Sequence, residues 1–204
     1  MMVGAVLRIV GFEVKGLAAI GLWVVRRKHG VPRGAVVVSY AKEQAFMLTL
    51  MLFAMAVETV VVDLLLVALD VPAWLRYGVL IADLYGLLFG AMLAASCATR
   101  PHVVTRDALR IRYGAYFDLH IPRDLVTAVR TSRTFNEDGM VSVKDGRLSV
   151  AVSSRTNLTV ELAEPVTVVR PLGGRAEVRS IRFFADAPEA MLAALRPEQA
   201  AQST

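Results

Sequence analysis

Residues 45–69, AFMLTLMLFAMAVETVVVDLLLVAL, form a run of 25 residues in which only Glu58 and Asp63 carry charge. At ~1.5 Å per helical residue it reaches across a ~30 Å hydrocarbon layer, so it reads as a membrane-spanning helix. Asp70-Val71-Pro72-Ala73 breaks the pattern, and residues 74–98 form a second apolar run with Trp74 and Tyr77 where aromatic rings favour the interface. Two spans joined so closely make an antiparallel hairpin. Both of its outer flanks are basic, whereas the turn carries only Asp70 and Arg76. The positive-inside bias therefore places the turn outside, and everything after residue 99 in the cytoplasm of a multi-pass cell-membrane protein.

Composition supports the same division. Hydrophobic types make up 55% of the 204 residues and the mean hydropathy is +0.52, which excludes a disordered or fibrous chain and argues against a purely soluble one. The net charge of +5 comes from two short blocks. Residues 26–43 hold Arg26, Arg27, Lys28, Arg33 and Lys42 against Glu43, and residues 99–113 hold Arg100, Arg106, Arg110 and Arg112 against Asp107. Residues 114–204 carry eleven basic and eleven acidic side chains, so nucleic acid is not an expected partner. Arg26, Arg27, Lys28 and Arg33 either report topology alone or also touch anionic lipid headgroups, at ~1 kcal/mol per residue near the surface. A lone Cys97 cannot form an internal disulfide and suits a buried, inert position in a reducing compartment.

The first apolar stretch, Val3 to Val25, leaves two readings open. Arg8, Glu13 and Lys15 interrupt it, and Arg26-Arg27-Lys28 follows where a cleavable leader would need small residues. Each buried charge costs about 2.5–3.5 kcal/mol near mid-bilayer, so the segment either lies in the cytoplasmic interface as an amphipathic helix or inserts with acidic partners. Insertion with the N-terminus outside, centred on residue 14, would bring Arg8 level with Asp63 and Asp83, and Lys15 level with Glu58.

After Pro101 the pattern alternates. Leu109, Ile111 and Tyr113 alternate with Arg110 and Arg112; Phe117, Leu119 and Ile121 with Asp118 and His120; Leu158, Val160 and Leu162 with Thr159 and Glu161. Turn signals at Tyr113-Gly114, Lys144-Asp145-Gly146-Arg147 and Leu172-Gly173-Gly174-Arg175 separate seven or eight short strands, the spacing of a small antiparallel sandwich or barrel. A helix should close the unit, with Asp186 as N-cap, Pro188 in its first turn, Glu189 completing a capping box, and Met191, Leu192 and Leu195 facing inward. The fold class is thus an α+β membrane protein. Its expected parts are an N-terminal helix and basic loop (1–43), the hairpin (44–100), a cytoplasmic β-domain (101–197) and a flexible tail (198–204).

The segment HVVTRDALRIRYGAYFDLHIPRDLVTAV, running through Ile121-Pro122 to Leu125-Val126, together with the terminal helix, resembles bacterial pleckstrin-homology-like (PH-like) domains that follow transmembrane hairpins. RRKHGVPRGA, VETVVVDLLL and SSRTNLTVELAEPVTV are similar to segments of a group of actinobacterial membrane proteins. The resemblance implies a PH-like fold over about half the chain and transfers no catalytic or binding residues.

Two intramembrane features are candidate sites. Gly78, Ala82, Gly86, Gly90, Ala94 and Ala98 recur every fourth residue, a helix-packing groove that receives either the hairpin's own first span or a second copy or other membrane partner. Glu58, Asp63 and Asp83, with Arg8 and Lys15, form a charged set at membrane depth, either structural or part of an ion or proton path. His29, His102 and His120 lack ligand spacing, Gly173-Gly174 reads as a hairpin turn, and no nucleophile–base motif occurs, so neither metal, cofactor nor enzymatic chemistry is expected. The expected function is to present the β-domain at the membrane as an interaction or regulatory module. The alternative is a pore-forming or accessory subunit of an ion- or proton-coupled transport complex using the intramembrane acids.

Overall fold

The chain folds as α+β, with long apolar helices followed by two β-sheets and a C-terminal helix. The computed structural model describes residues 2–171 and 173–196, with side chains from Val10 onward. The expected tail, 198–204, and the side chain of Arg8 lie outside the described residues.

Three long helices lie together. Helix α1 (Met2–Val24) and helix α2 (Lys42–Ala68) both pack on α3 (Ala73–Thr99) and hardly touch each other. The α2–α3 hairpin closes through a left-handed Asp70 (φ 50°), whose N–H donates to the Val67 carbonyl while Val71 N–H donates to Leu66, so the last carbonyls of α2 are satisfied before Pro72 opens α3. Both hairpin helices are long and apolar enough to cross a membrane. The six small residues do not make one groove. Steps of four residues drift by about 40° each, so the stripe winds around the helix. Gly86 and Gly90 face α2, where an added Cβ would meet Met55 and Leu52, while nothing lies within 4 Å of Gly78 and both Ala82 and Ala98 are exposed.

Helix α1 runs parallel to α3. Phe12 and Phe89 flank the same Tyr116 ring, Gly16 abuts Met92, and His29 N–H donates to the Thr99 carbonyl where the two helices end. Gly16 permits this approach, since a Cβ there would lie 2.9 Å from Met92 Sδ and 3.0 Å from its Cβ.

The β-unit begins earlier than the sequence suggested. Strand β1 (Val36–Val38), inside the expected basic loop, pairs with β2 (His102–Val104), and β3 (Ala108–Tyr113) and β4 (Phe117–Pro122) complete an antiparallel four-stranded sheet. The second sheet has the order β5-β8-β9-β7-β6, formed by β5 (Val126–Thr134), β6 (Val141–Lys144), β7 (Arg147–Val150), β8 (Thr156–Val169) and β9 (Arg175–Phe183). The expectation of purely antiparallel pairing is corrected here: β9 returns from its hairpin with β8 into the space beside β7 and pairs with it in parallel. Leu109, Ile111 and Ile121 meet Leu158, Val160, Ile181 and Phe183 between the sheets, and Met191 and Leu195 of α4 (Pro188–Leu195) close the core.

Asp186 does not cap α4, whose N-cap is Ala187. Its carboxylate instead accepts from Lys42 N–H at 3.2 Å, at the first turn of α2, and its own N–H donates to the Ser39 carbonyl. The cap signal was genuine and its recipient was a different helix.

Gly16→Leu is expected to force α1 off α3, overpacking worth about 1–3 kcal/mol. A Glu13→Cys/Tyr85→Cys pair should crosslink under mild oxidation, lose crosslinking with Gly16→Leu, and keep it with Gly11→Leu, where nothing lies within 4 Å. Equal crosslinking in all three backgrounds would refute the role of Gly16, and no crosslinking of the parent pair would refute the α1–α3 contact.

Candidate functional site

The turn joining β3 to β4 wedges against the C-terminal part of α3, with Tyr116 between Phe12 of α1 and Phe89 of α3. Tyr113, Gly114, Ala115 and Phe117 of this segment are buried, and polar groups of Tyr40, Gln44 and Ser96 surround them. Tyr40, which immediately precedes α2, is fully buried; its hydroxyl accepts from Gly114 N–H at 2.6 Å, and its ring stacks on Tyr113 and lies 4.6 Å from His102. Tyr113 donates to Gln44 Oε1 at 3.1 Å on the first turn of α2. Gly114 adopts φ 51° against α3, where a Cβ would fall 2.6 Å from Ser96 Oγ and 3.3 Å from Cys97 Sγ, so only glycine fits. Cys97 is buried here, as expected of a structural thiol. Burial pushes the Tyr40 and Tyr113 phenols up, so both act as neutral hydrogen-bonding groups.

His102 lies beneath this turn with both ring nitrogens committed. Nδ1 accepts from Arg112 N–H at 3.1 Å, so Nε2 carries the proton and donates to the Phe184 carbonyl at 2.9 Å. The ring is therefore neutral, and burial lowers its pKa from 6.5 to about 4. It stitches the end of β9 to the first sheet.

A basic collar surrounds this junction. Alternation along β3 predicts an outward Arg112, yet its side chain is only 1% exposed: Nη1 donates to the His29 carbonyl at 2.8 Å and Nη2 to the Gly30 carbonyl at 3.0 Å. The loop leaving α1 folds over the strand and buries it. Asp118 accepts two hydrogen bonds from Arg110, at 2.7 and 2.6 Å, and lies 3.5 Å from Arg112 Nε. Arg100 stands nearby and is buried to 9% exposure. Burial, followed by Arg100, Arg112 and Arg110, holds the His29 pKa below its usual value. Arg26, Arg27, Lys28 and Arg33 are exposed on the adjoining loop, so the collar is cationic with Asp118 as its internal counter-ion.

The charges along the long helices are distributed differently from expectation. Asp63 accepts two hydrogen bonds, 2.7 and 3.0 Å, from Arg76 of its own hairpin; the pairing expected with Arg8 falls on a side chain outside the described residues. The two residues are equidistant from the turn, a relation visible in the sequence once the hairpin is drawn, although Arg76 had been counted as a turn charge. Lys15 and Glu58 do not meet: both are exposed, on helices that flank α3, and Gly16 sits level with Met92 rather than with mid-helix. Glu13, which received no partner in the sequence, hydrogen-bonds with the Tyr85 hydroxyl. Asp83 is half-buried and forms no ion pair among the described residues. Among the described residues this charged set is thus one ion pair, one hydrogen bond and separate charges.

Chemically, the junction offers donors, acceptors and fixed positive charge. Among the described residues no three His, Cys, Asp or Glu side chains converge on a common point. No protein-family model, curated protein or solved structure matches the chain.

Two outcomes test this geometry. Because folded His102 must stay neutral, its contribution is fully present above about pH 6.5 and is lost as the pH falls toward about 4. The loss is on the order of 3 kcal/mol, and denaturant unfolding of the whole protein in detergent should show it, with the slope reduced in His102→Gln. In Arg112→Met the loop over β3 loses its anchor; limited trypsin digestion at Arg26–Lys28 should then accelerate about tenfold, for a loss on the order of 1–3 kcal/mol.

Proposed function

We propose that the chain is a multi-pass cell-membrane protein that holds a PH-like β-domain at the cytoplasmic face of the bilayer as an interaction or regulatory module, as a scaffold or accessory subunit without chemistry of its own. The observation that carries this reading is the clamp between the two parts. Strand β1 lies between α1 and α2, the β3–β4 turn lies against α3, and Arg155–Glu43 and Asp186–Lys42 tie the second sheet and the end of the domain to α2. A domain so attached has a set orientation toward the membrane, which suits presenting one surface to a partner.

Other features support the membrane reading. Trp23 lies exposed where α1 ends and Trp74 and Tyr77 lie exposed at the opposite end of the bundle, an aromatic belt on each side of the apolar helices. The basic collar at the domain end faces the side where anionic headgroups concentrate, each cation near the surface adding about 1 kcal/mol. The parallel run of α1 along α3 favours insertion of α1 as a third span over an interfacial position. Two sheets closed by a terminal helix fit a PH-like architecture, from which the parallel β7–β9 pair departs.

Glu58 favours a second reading. It sits midway along α2, exposed among lipid-facing residues, where a lone carboxylate is unfavourable by several kcal/mol. A transport complex in which another copy or subunit covers this face would satisfy it.

Cysteine labelling with a membrane-impermeant reagent in intact cells tests the reading. Modification of Ala73→Cys without modification of Ser142→Cys is expected; the reverse pattern would place the β-domain outside and end the proposal.

A further inference from the structure

The sequence left open where on the β-domain a partner would bind. The second sheet ends on one side in β5, which is paired only to β8. Natural edge strands are commonly blunted by bulges, charge or a covering element. Here register shifts fall at Val126/Ala128 and at Thr131/Thr134, and between them Ala128–Thr131 keeps regular pairing with Leu158–Glu161. That regular stretch lines an open groove of about 760 Å³ between β5, the β1–β2 edge and α4.

The groove has an apolar floor and a rim of one sign. Val36, Val104, Val126, Val129 and Leu192 line it, and among the described residues every charged one along it is an arginine: Arg106, Arg123, Arg130 and Arg196. Arg123 is spent within the fold, donating to the Ala194 carbonyl at 2.7 Å and so holding the end of α4. Arg130 is loosely paired with Glu161 at 3.1 Å and remains 65% exposed. Arg106 and Arg196 are exposed and form no ion pair among the described residues. The contrast with the other edge of the sheet is informative, because the depression beside β6 mixes Glu137, Asp138 and Asp145 with Lys144, Arg147 and Arg182. Residues 114–204 carry no net charge overall, so the single-sign rim is a local arrangement.

We propose that this groove binds an extended acidic segment of a protein partner, which adds as a strand to the free edge of β5 and places carboxylates against Arg106, Arg130 and Arg196. Backbone pairing to Ala128–Thr131 supplies affinity, alternate apolar side chains enter the floor, and the intervening acidic side chains meet the arginines. At ~3.3 Å per residue the regular edge accommodates about four or five residues of such a segment. The proposal rests on the interaction-module reading and names its site and the chemistry of its partner.

The test uses the full chain in phosphatidylcholine nanodiscs and a fluorescein-labelled peptide of alternating glutamate and valine, read by fluorescence anisotropy. A lysine–valine peptide and a glutamate–valine peptide N-methylated at alternate residues serve as comparators. The glutamate peptide should bind about tenfold or more tightly than either comparator, and the exposed double reversal Arg106→Glu/Arg196→Glu should invert the preference between the two charges. Unchanged thermal unfolding of the double variant would show that only the rim has altered. Failure of the glutamate peptide to bind, equal binding by the double variant, or indifference to N-methylation would each overturn the proposal. A refused peptide combined with the expected cysteine-labelling pattern removes the groove and leaves the module reading standing; a reversed labelling pattern removes the reading on which the groove depends.

Discussion

The structure depends on the chain leaving the helical layer between α1 and α2 to form β1. That one short strand, Val36–Val38 against His102–Val104, brings the end of α1, the start of α2 and the end of α3 to one place. The consequence is a junction crowded with backbone ends. Helix termini and strand ends expose N–H and C=O groups that cannot be buried unpaired, and at the junction side chains answer several of them. Tyr40 accepts from Gly114, Arg112 donates to the His29 and Gly30 carbonyls, and Asp186 accepts from Lys42. The polar residues there are required by the topology.

This requirement also explains the electrostatics. A buried guanidinium is tolerable only if hydrogen-bonded and balanced, and Arg112 satisfies two carbonyls with Asp118 3.5 Å from its Nε. Asp118 in turn holds Arg110, so one acid serves two cations and the remaining positive charge faces outward. The same end of the domain that must lock the loop after α1 is therefore the basic end. Clamp and collar have one origin.

The three-helix layer is asymmetric for a related reason. Helix α3 contributes two surfaces, Gly86 and Gly90 toward α2, and Met92 toward Gly16 of α1. Close approach on both sides makes α3 the central element, and it is also the helix that runs directly into the β-unit. Displacement of α1 or α2 would thus be felt at the β3–β4 turn through α3. Glu58, outside these contacts, marks the face of the bundle that its own helices leave uncovered.

Local periodicity by itself determined a good deal. Apolar runs of 25 residues can only be long helices, and strict alternation at Phe117–Ile121 can only be a half-buried strand, observed as buried and exposed positions in turn. Hairpin geometry likewise made the Asp63–Arg76 pair legible, since both residues lie the same distance from the turn. Tertiary structure decided what depends on partners remote in sequence. Val36–Val38 is too short to announce a strand until β2 stands beside it, and the parallel β7–β9 pair depends on which sheet edge is free when β9 returns. Arg112 alternates as an outward residue, and only the loop folded over it makes it a buried one. Asp186 carries the chemistry of a helix cap, but proximity in space gave it to α2 rather than α4. Spacing along the chain fixes which face a side chain occupies; what covers that face is set by packing, and packing has no period.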